Sequence, residues 1–164
     1  MKNEQDQFIL DSLEPLLYLN SQGQKRYIDV KQLLKMDKRD LPINTLPASY
    51  LFVAQESDKR RLIVENLKAK LDATQGVLRN KYVNDPTLRE QNGGKKPPEQ
   101  MLTAAVSSNS EYVSLKVKLN KAQYAWRISE HLLKALEQKA SLMQTLSAEK
   151  RKEREYAPKV NDVQ

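Results

Sequence analysis

The chain has 164 residues, a formal net charge of +7 and no cysteine. This length allows one domain and is marginal for two. Only 6% of the residues are aromatic, which leaves little material for a thick α/β core. The lack of cysteine excludes disulfides, thiolate catalysis and thiolate metal sites. The N-terminus has acidic residues where a signal peptide needs a basic start, and no uncharged apolar run approaches the roughly 18 residues of a membrane span, so we expect a soluble cytoplasmic protein.

The positive charge is unevenly distributed. Residues 1–46 hold seven basic and seven acidic residues, so the 21 basic and 14 acidic residues of 47–164 carry all of the net charge. A cationic surface favours polyanions, with nucleic acid the commonest soluble partner and anionic membrane the next. The alternative is that lysine-rich helices serve only solubility.

The first part of the chain is predicted to form short helices. Apolar residues over 5–19, interrupted by Pro15, predict a helix with a kink or restart. After a turn signal at residues 20–23, Asp29 suits the N-cap of a short helix that ends near Met36.

A long helix is predicted from Pro47 to about Asn84. Pro47 follows a polar cap and suits the first helical position. Gly76 costs only about 1 kcal/mol within a helix and need not end it. An apolar stripe with steps of three and four residues is expected to face the core: Val64, Leu67, Leu71, Thr74, Leu78 and Tyr82.

Residues 85–98 contain three prolines and two glycines, which predicts a mobile loop. Pro98 and Glu99 suit the first turn of a short helix that ends near Val106, and residues 107–110 offer the cap for a further helix.

The last helix is predicted from Ser110 to about Arg154 and carries a sustained heptad seam. A second apolar row beside the seam, which includes Ile128 and Leu142, makes the apolar face wider than a two-stranded coiled coil requires. We therefore expect two neighbours, namely the 47–84 helix folded back as an antiparallel hairpin and another subunit. The seam residues predicted to mediate oligomerisation are Tyr112, Leu115, Leu119, Trp126, Leu133, Leu136 and Met143.

The predicted fold class is thus all-α and oligomeric. Residues 1–46 are expected to form a small helical N-terminal region, 47–156 a helical hairpin for DNA binding and oligomerisation, and 157–164 a disordered tail.

No catalytic constellation, metal site or cofactor is predicted, and we expect the protein not to be an enzyme. The single histidine, His131, has no second histidine or cysteine as a co-ligand. The Gly93-Gly94-Lys95-Lys96 segment lacks the upstream glycine of a phosphate loop, and Pro97 stands where such a loop needs Ser or Thr.

Basic residues of the 47–84 helix are the candidates for nucleic-acid contact. Three consecutive residues span three directions around a helix, so one member of Lys59-Arg60-Arg61 is expected near the packed side. Residues two apart point roughly 200° from each other, which separates Lys68 from Lys70. The full candidate set is Lys59, Arg60, Arg61, Lys68, Lys70, Arg79 and Lys81, with a solvated helix face as the alternative interpretation.

The stretch from Val64 to Asp72 resembles the Leu-Lys-Ala-Arg-Leu-Asp-Tyr motif of UvsY-like phage recombination mediators. Leu67, Lys68, Ala69, Leu71 and Asp72 match that motif directly, and Lys70 replaces its arginine. Tyr27-Ile28-Asp29 is similar to a segment near that family's N-terminus, and the last helix is similar in pattern to the family's C-terminal helix.

The resemblance implies a phage-encoded helical oligomer, with a closed ring expected, that binds single-stranded DNA. It implies a role in DNA recombination, repair and replication, in which the oligomer loads a strand-exchange recombinase in place of single-strand-binding protein, without membrane contact. Two other interpretations stay open. One is a coiled-coil assembly protein or chaperone that binds an acidic partner, and the other is a replication accessory such as a helicase loader.

Overall fold

The computed structural model describes residues 13–20, 22–36 and 45–156, with side chains as far as Arg154. The predictions for 1–12, 37–44 and the tail at 157–164 lie outside the described residues. The protein is mostly helical, as predicted. Its elements in chain order are strands β1 (Leu16–Leu19) and β2 (Lys25–Ile28), and helices α1 (Val30–Leu34), α2 (Leu46–Val83), α3 (Pro86–Gln91), α4 (Glu99–Ser107) and α5 (Ser110–Tyr156).

Contacts group the chain into two compact units. The first contains the described residues of Met1–Glu56 and Ser129–Gln164, and the second is Ser57–Ile128. Both long helices, α2 and α5, contribute to each unit.

A β-hairpin in the first unit corrects the sequence prediction. β1 and β2 pair antiparallel, with Leu16 opposite Ile28, in the region where a kinked helix was expected to run through Leu19. The Asn20 side chain shapes the turn, because its Oδ1 accepts backbone N–H bonds from Gln22 and Gln24. The leucine-rich run therefore alternates between faces as a strand, with Leu16 buried and its neighbour exposed.

The core of the first unit forms between this hairpin, α1 and the two long helices. Its buried members are Leu16, Val30, Val53, Leu132 and Leu136. The Tyr18 and Phe52 rings meet edge to face with centroids 4.9 Å apart, a favourable aromatic geometry. Asp29 caps α1 as predicted, by accepting from the backbone N–H groups of Lys31 and Gln32.

Lys139 closes the other end of α1. Its side chain is 5% exposed, and its Nζ donates a 2.6 Å hydrogen bond to the Leu33 carbonyl. Carbonyls in the last turn of a helix lack intrahelical partners, so a lysine is a suitable donor there. Burial lowers the pKa of Lys139, because the charged form is disfavoured away from water.

The second unit contains the rest of α2, the short helices α3 and α4, and the beginning of α5. Its buried apolar side chains come from α2, α4 and α5: Val64, Leu78, Leu102, Val106, Leu115 and Leu119. The predicted α2 stripe is confirmed, since its other four members are half-buried. Gly76 does not interrupt α2, as predicted.

The segment between the long helices is more regular than predicted. Asp85 caps α3 by accepting from Thr87 and Leu88 N–H groups, and Pro86 occupies the first turn. The prediction of a loop was therefore wrong for Pro86–Gln91. Gly93 and Gly94 then take positive φ angles of 64° and 80°, which favour glycine and turn the chain towards α4.

The predicted boundaries of the later helices are confirmed to within one or two residues. α4 covers the expected short helix. Asn109, which lies inside the expected cap at residues 107–110, accepts from the N–H groups of Glu111 and Tyr112 at the start of α5. Among the described residues, none of the helices combines the length and apolar character that crossing a membrane requires.

Candidate nucleic-acid interface

The basic residues of α2 divide by direction around the helix. A helix turns by about 100° per residue, so positions eleven apart return to almost the same side. Lys59, Lys70 and Lys81 have this spacing and are all exposed. Ile63, Asn66 and Val77 lie between them on the same side. We call this set the basic row: Lys59, Ile63, Asn66, Lys70, Val77 and Lys81.

The basic row consists of three lysines, two aliphatic residues and one asparagine, with no acidic member. Ile63 and Val77 are 52% and 68% exposed, which is high for aliphatic side chains. Neither Lys70 nor Lys81 forms an ion pair within the part of the chain that the structure describes. The three lysines span about 33 Å along α2, from a rise of about 1.5 Å per residue. The row therefore presents a linear track of positive charge interleaved with apolar side chains.

Two other basic residues of α2, Arg61 and Arg79, lie next to carboxylates. Arg61, Lys68 and Arg79 are on roughly the opposite side of the helix from the basic row. Arg61 Nε is 3.0 Å from Glu65 Oε1, and Arg79 Nη2 is 2.6 Å from Glu99 Oε2 on α4. Neighbouring carboxylates cancel much of the attraction that these two arginines exert on a phosphate. Lys68 is exposed and forms no ion pair among the described residues, so only its direction around the helix separates it from the basic row.

Arg60 packs against α5. Its Nη1 donates a 2.7 Å hydrogen bond to the Ala125 carbonyl in a partly buried position. This arrangement agrees with the expectation that one member of the 59–61 triplet lies at the packed side of the helix. Since the guanidinium is engaged with backbone, Arg60 contributes to the second unit's packing.

The predicted oligomerisation residues are placed in the chain's own interior. Leu115, Leu119, Leu136 and Met143 are buried, and the other three, Tyr112, Trp126 and Leu133, are half-buried. The seam of α5 is thus used for packing inside one chain.

Sequence reasoning identified the lysines of the basic row but not the side chains between them. Ile63, Asn66 and Val77 were outside the predicted stripe and carried no signal as single residues. The sequence feature that indicates the row is the spacing of Lys59, Lys70 and Lys81, which are separated by two intervals of eleven residues. His131 is exposed, and among the described side chains no group of three His, Asp or Glu residues is placed to hold a metal ion.

Comparison with protein-family models, curated proteins and solved structures finds no match to this chain.

Proposed function

We propose that the chain binds single-stranded DNA through the basic row of α2. The observation that carries this proposal is the segregation of charge around one helix. Lys70 and Lys81 lie on a side of α2 that has no acidic residue from Ile63 to Lys81, and Lys59 continues this side towards the start of the helix. Arg61 and Arg79 are paired with carboxylates, and Lys68 lies on roughly the opposite side. Lysine ammonium groups attract phosphates by counterion release.

The apolar members of the row favour a single strand over a duplex. Ile63 and Val77 are exposed between the lysines, and unpaired bases offer apolar faces that a duplex hides in its stack. The row has no arginine, which reads guanine most often, so we expect little sequence preference.

The wider proposal is a recombination mediator of the UvsY-like kind. The resemblance over residues 64–72 includes Lys70 of the basic row as well as Lys68, which lies on roughly the opposite side of α2. In this role, an oligomer, with a ring as the expected form, arrays several basic rows along one strand and loads a strand-exchange recombinase in place of single-strand-binding protein. Many weak contacts then give tight binding by multivalency.

The proposed architecture is an antiparallel pairing of α2 and α5. In the second unit, Tyr82 accepts a hydrogen bond from Asn109, just before α5, and Arg60 reaches Ala125 farther along it. Residue numbers therefore fall along α2 as they rise along α5. This order supports antiparallel packing there.

Salt-titrated fluorescence anisotropy with a labelled single strand and its duplex tests the binding proposal. We expect tighter binding to the single strand, with log K falling linearly against log salt by about 0.7 for each phosphate neutralised. Equal affinity for both, or affinity that does not grow with strand length, contradicts it. Affinity that does not grow with strand length favours an assembly protein with an acidic protein partner.

The mediator role is tested separately. Strand exchange by a recombinase on strands coated with single-strand-binding protein should accelerate when the chain is added. Binding to single strands without acceleration contradicts this role, and stimulation of a helicase instead identifies a helicase loader.

A further inference from the structure

A second exposed row of α2 differs in charge from the basic row. Asp58, Leu62, Glu65, Ala69, Asp72 and Gly76 follow one another in alternating steps of four and three residues, and all are exposed. This spacing keeps them on one side of the helix, about 120° from the basic row. We call this set the acidic face.

Nothing within the chain explains why residue 76 is a glycine. Glycine inside a helix costs about 1 kcal/mol relative to alanine. A Cβ built on Gly76 meets nothing within 4 Å, and its φ is not in the left-handed region. Neither close packing nor backbone geometry within the chain therefore requires glycine at this position. Together with Ala69, Gly76 leaves a shallow place on the acidic face where another helix can approach closely.

The outer side of α5 in the same unit has the complementary character. Val113, Val117, Tyr124 and Ile128 are exposed, with Tyr124 at 66%, and they lie on the side of α5 away from buried Leu115 and Leu119. Exposed basic residues flank them, while residues 112–128 contain no acidic residue. We call this set the α5 outer face: Val113, Lys116, Val117, Lys121, Tyr124, Arg127 and Ile128.

We propose that copies of this chain associate head to tail, with the acidic face of one copy packed on the α5 outer face of the next. Asp58 and Asp72, together with Glu65, which is also paired with Arg61, then face three cations. The apolar side chains of the α5 outer face pack over Ala69 and Gly76. The two sets are similar in length, about 27 Å and 22 Å at a rise of about 1.5 Å per residue.

Each set repels a second copy of itself. A two-fold contact of either face with its own copy is therefore disfavoured, because it brings carboxylates together in one case and cations together in the other. A contact between two different surfaces repeats from copy to copy and closes into a ring or extends as a filament. The inference rests on the oligomeric part of the proposed function, and it leaves the basic row open in every copy.

Charge reversal on each side tests the contact. One variant carries Asp58→Lys, Glu65→Lys and Asp72→Lys, and the other carries Lys116→Glu, Lys121→Glu and Arg127→Glu. In sedimentation velocity we expect the unmodified chain to assemble. Each variant alone should sediment as a single chain of 18.9 kDa, with association weakened on the order of 100-fold or more. An equimolar mixture should assemble again, since each reversed face meets an opposite charge.

Several outcomes overturn the proposal. They are a monomeric unmodified chain, a reversed variant that assembles normally, and a mixture that stays monomeric. Gly76→Leu is a second test that keeps every charge in place. We expect it to retain the helical circular dichroism signal while losing assembly, and unchanged assembly of this variant excludes close packing at Gly76.

A further variant separates this inference from nucleic-acid binding. Lys59→Glu, Lys70→Glu and Lys81→Glu together reverse the basic row, and we expect this variant to assemble like the unmodified chain while losing affinity for single strands. If this variant binds single strands and assembles normally, the basic row is not the nucleic-acid site, while the head-to-tail contact is not contradicted. Loss of assembly in this variant instead contradicts the assignment of the contact to the other two faces.

Discussion

The two units use the same pair of long helices in different ways. In the first unit, a β-hairpin and α1 contribute to the core around the helices, and Leu136 is completely buried. In the second unit, α2 and α5 keep exposed outer sides on which charges are sorted into separate rows. The first unit thus has a β-hairpin and α1 packed with the long helices, whereas in the second unit the exposed sides of α2 and α5 carry sorted charges together with apolar side chains such as Ile63 and Tyr124.

We infer from this difference that the two parts of each long helix have separate roles. Side chains of the first unit are committed to packing and to closing helix ends, as Lys139 does for α1. Exposed side chains of the second unit form the faces to which we assign the proposed binding of a polyanion and of a further copy of the chain. We therefore expect substitutions of buried side chains to reduce stability in either unit, and substitutions on the exposed faces of the second unit to reduce the proposed association.

The largest expected effect on stability is at Leu136. Leu136→Ala should lower the free energy of unfolding by about 3 kcal/mol, because it removes buried contacts and leaves a cavity. Leu142→Ala is the matched control on the same helix, and its exposed side chain predicts a change below about 0.5 kcal/mol. Urea denaturation followed by circular dichroism measures both, and similar effects of the two changes break the comparison between packed and exposed sides.

A smaller and pH-dependent effect is expected at Lys139. Lys139→Met should destabilise the chain by about 1–2 kcal/mol at neutral pH, since the Leu33 carbonyl loses its donor. Burial lowers the pKa of Lys139 below its ordinary 10.5, so the unfolded chain binds this proton more tightly. In the unmodified chain, this group makes stability rise as pH increases from the lowered pKa towards 10.5.

Tyr50 has the opposite trend and serves as the control. Its hydroxyl donates to Glu137, and this bond and the carboxylate charge raise the pKa of Tyr50 above 10.0. Stability from Tyr50 is therefore present below 10.0 and is lost as pH rises through its raised pKa. Denaturation in a Tyr50→Phe background isolates the Lys139 contribution. If Lys139→Met leaves the alkaline rise unchanged in that background, Lys139 is not its source.

The long helices were predictable because their signal is local and repeated. The stripe from Val64 to Tyr82 and the heptad seam of α5 give many agreeing positions, and the boundaries follow within two residues. The β-hairpin was missed because a run of leucines suits a helix as well as a strand. Only pairing with β2, at the register of Leu16 with Ile28, decides between them.

The candidate site was predictable as a residue list and not as a surface. All three lysines of the basic row were named from sequence, but so were Arg61, Lys68 and Arg79. Separating the two groups requires the packed side of α2, which Val64 and Leu78 define by their burial. The removal of Arg60 from the site depends on Ala125, a partner 65 residues away, which local sequence does not indicate.

The most direct test compares two triple variants with equal loss of charge. Lys59→Gln, Lys70→Gln and Lys81→Gln neutralise the basic row, and Arg61→Gln, Lys68→Gln and Arg79→Gln neutralise the opposite side. Single-strand affinity at about 0.1 M salt, followed by anisotropy, should fall on the order of 100-fold with a flatter salt dependence in the first variant. It should change less than about 3-fold in the second. Equal losses in both variants, or a larger loss in the second, contradict a site on the basic row.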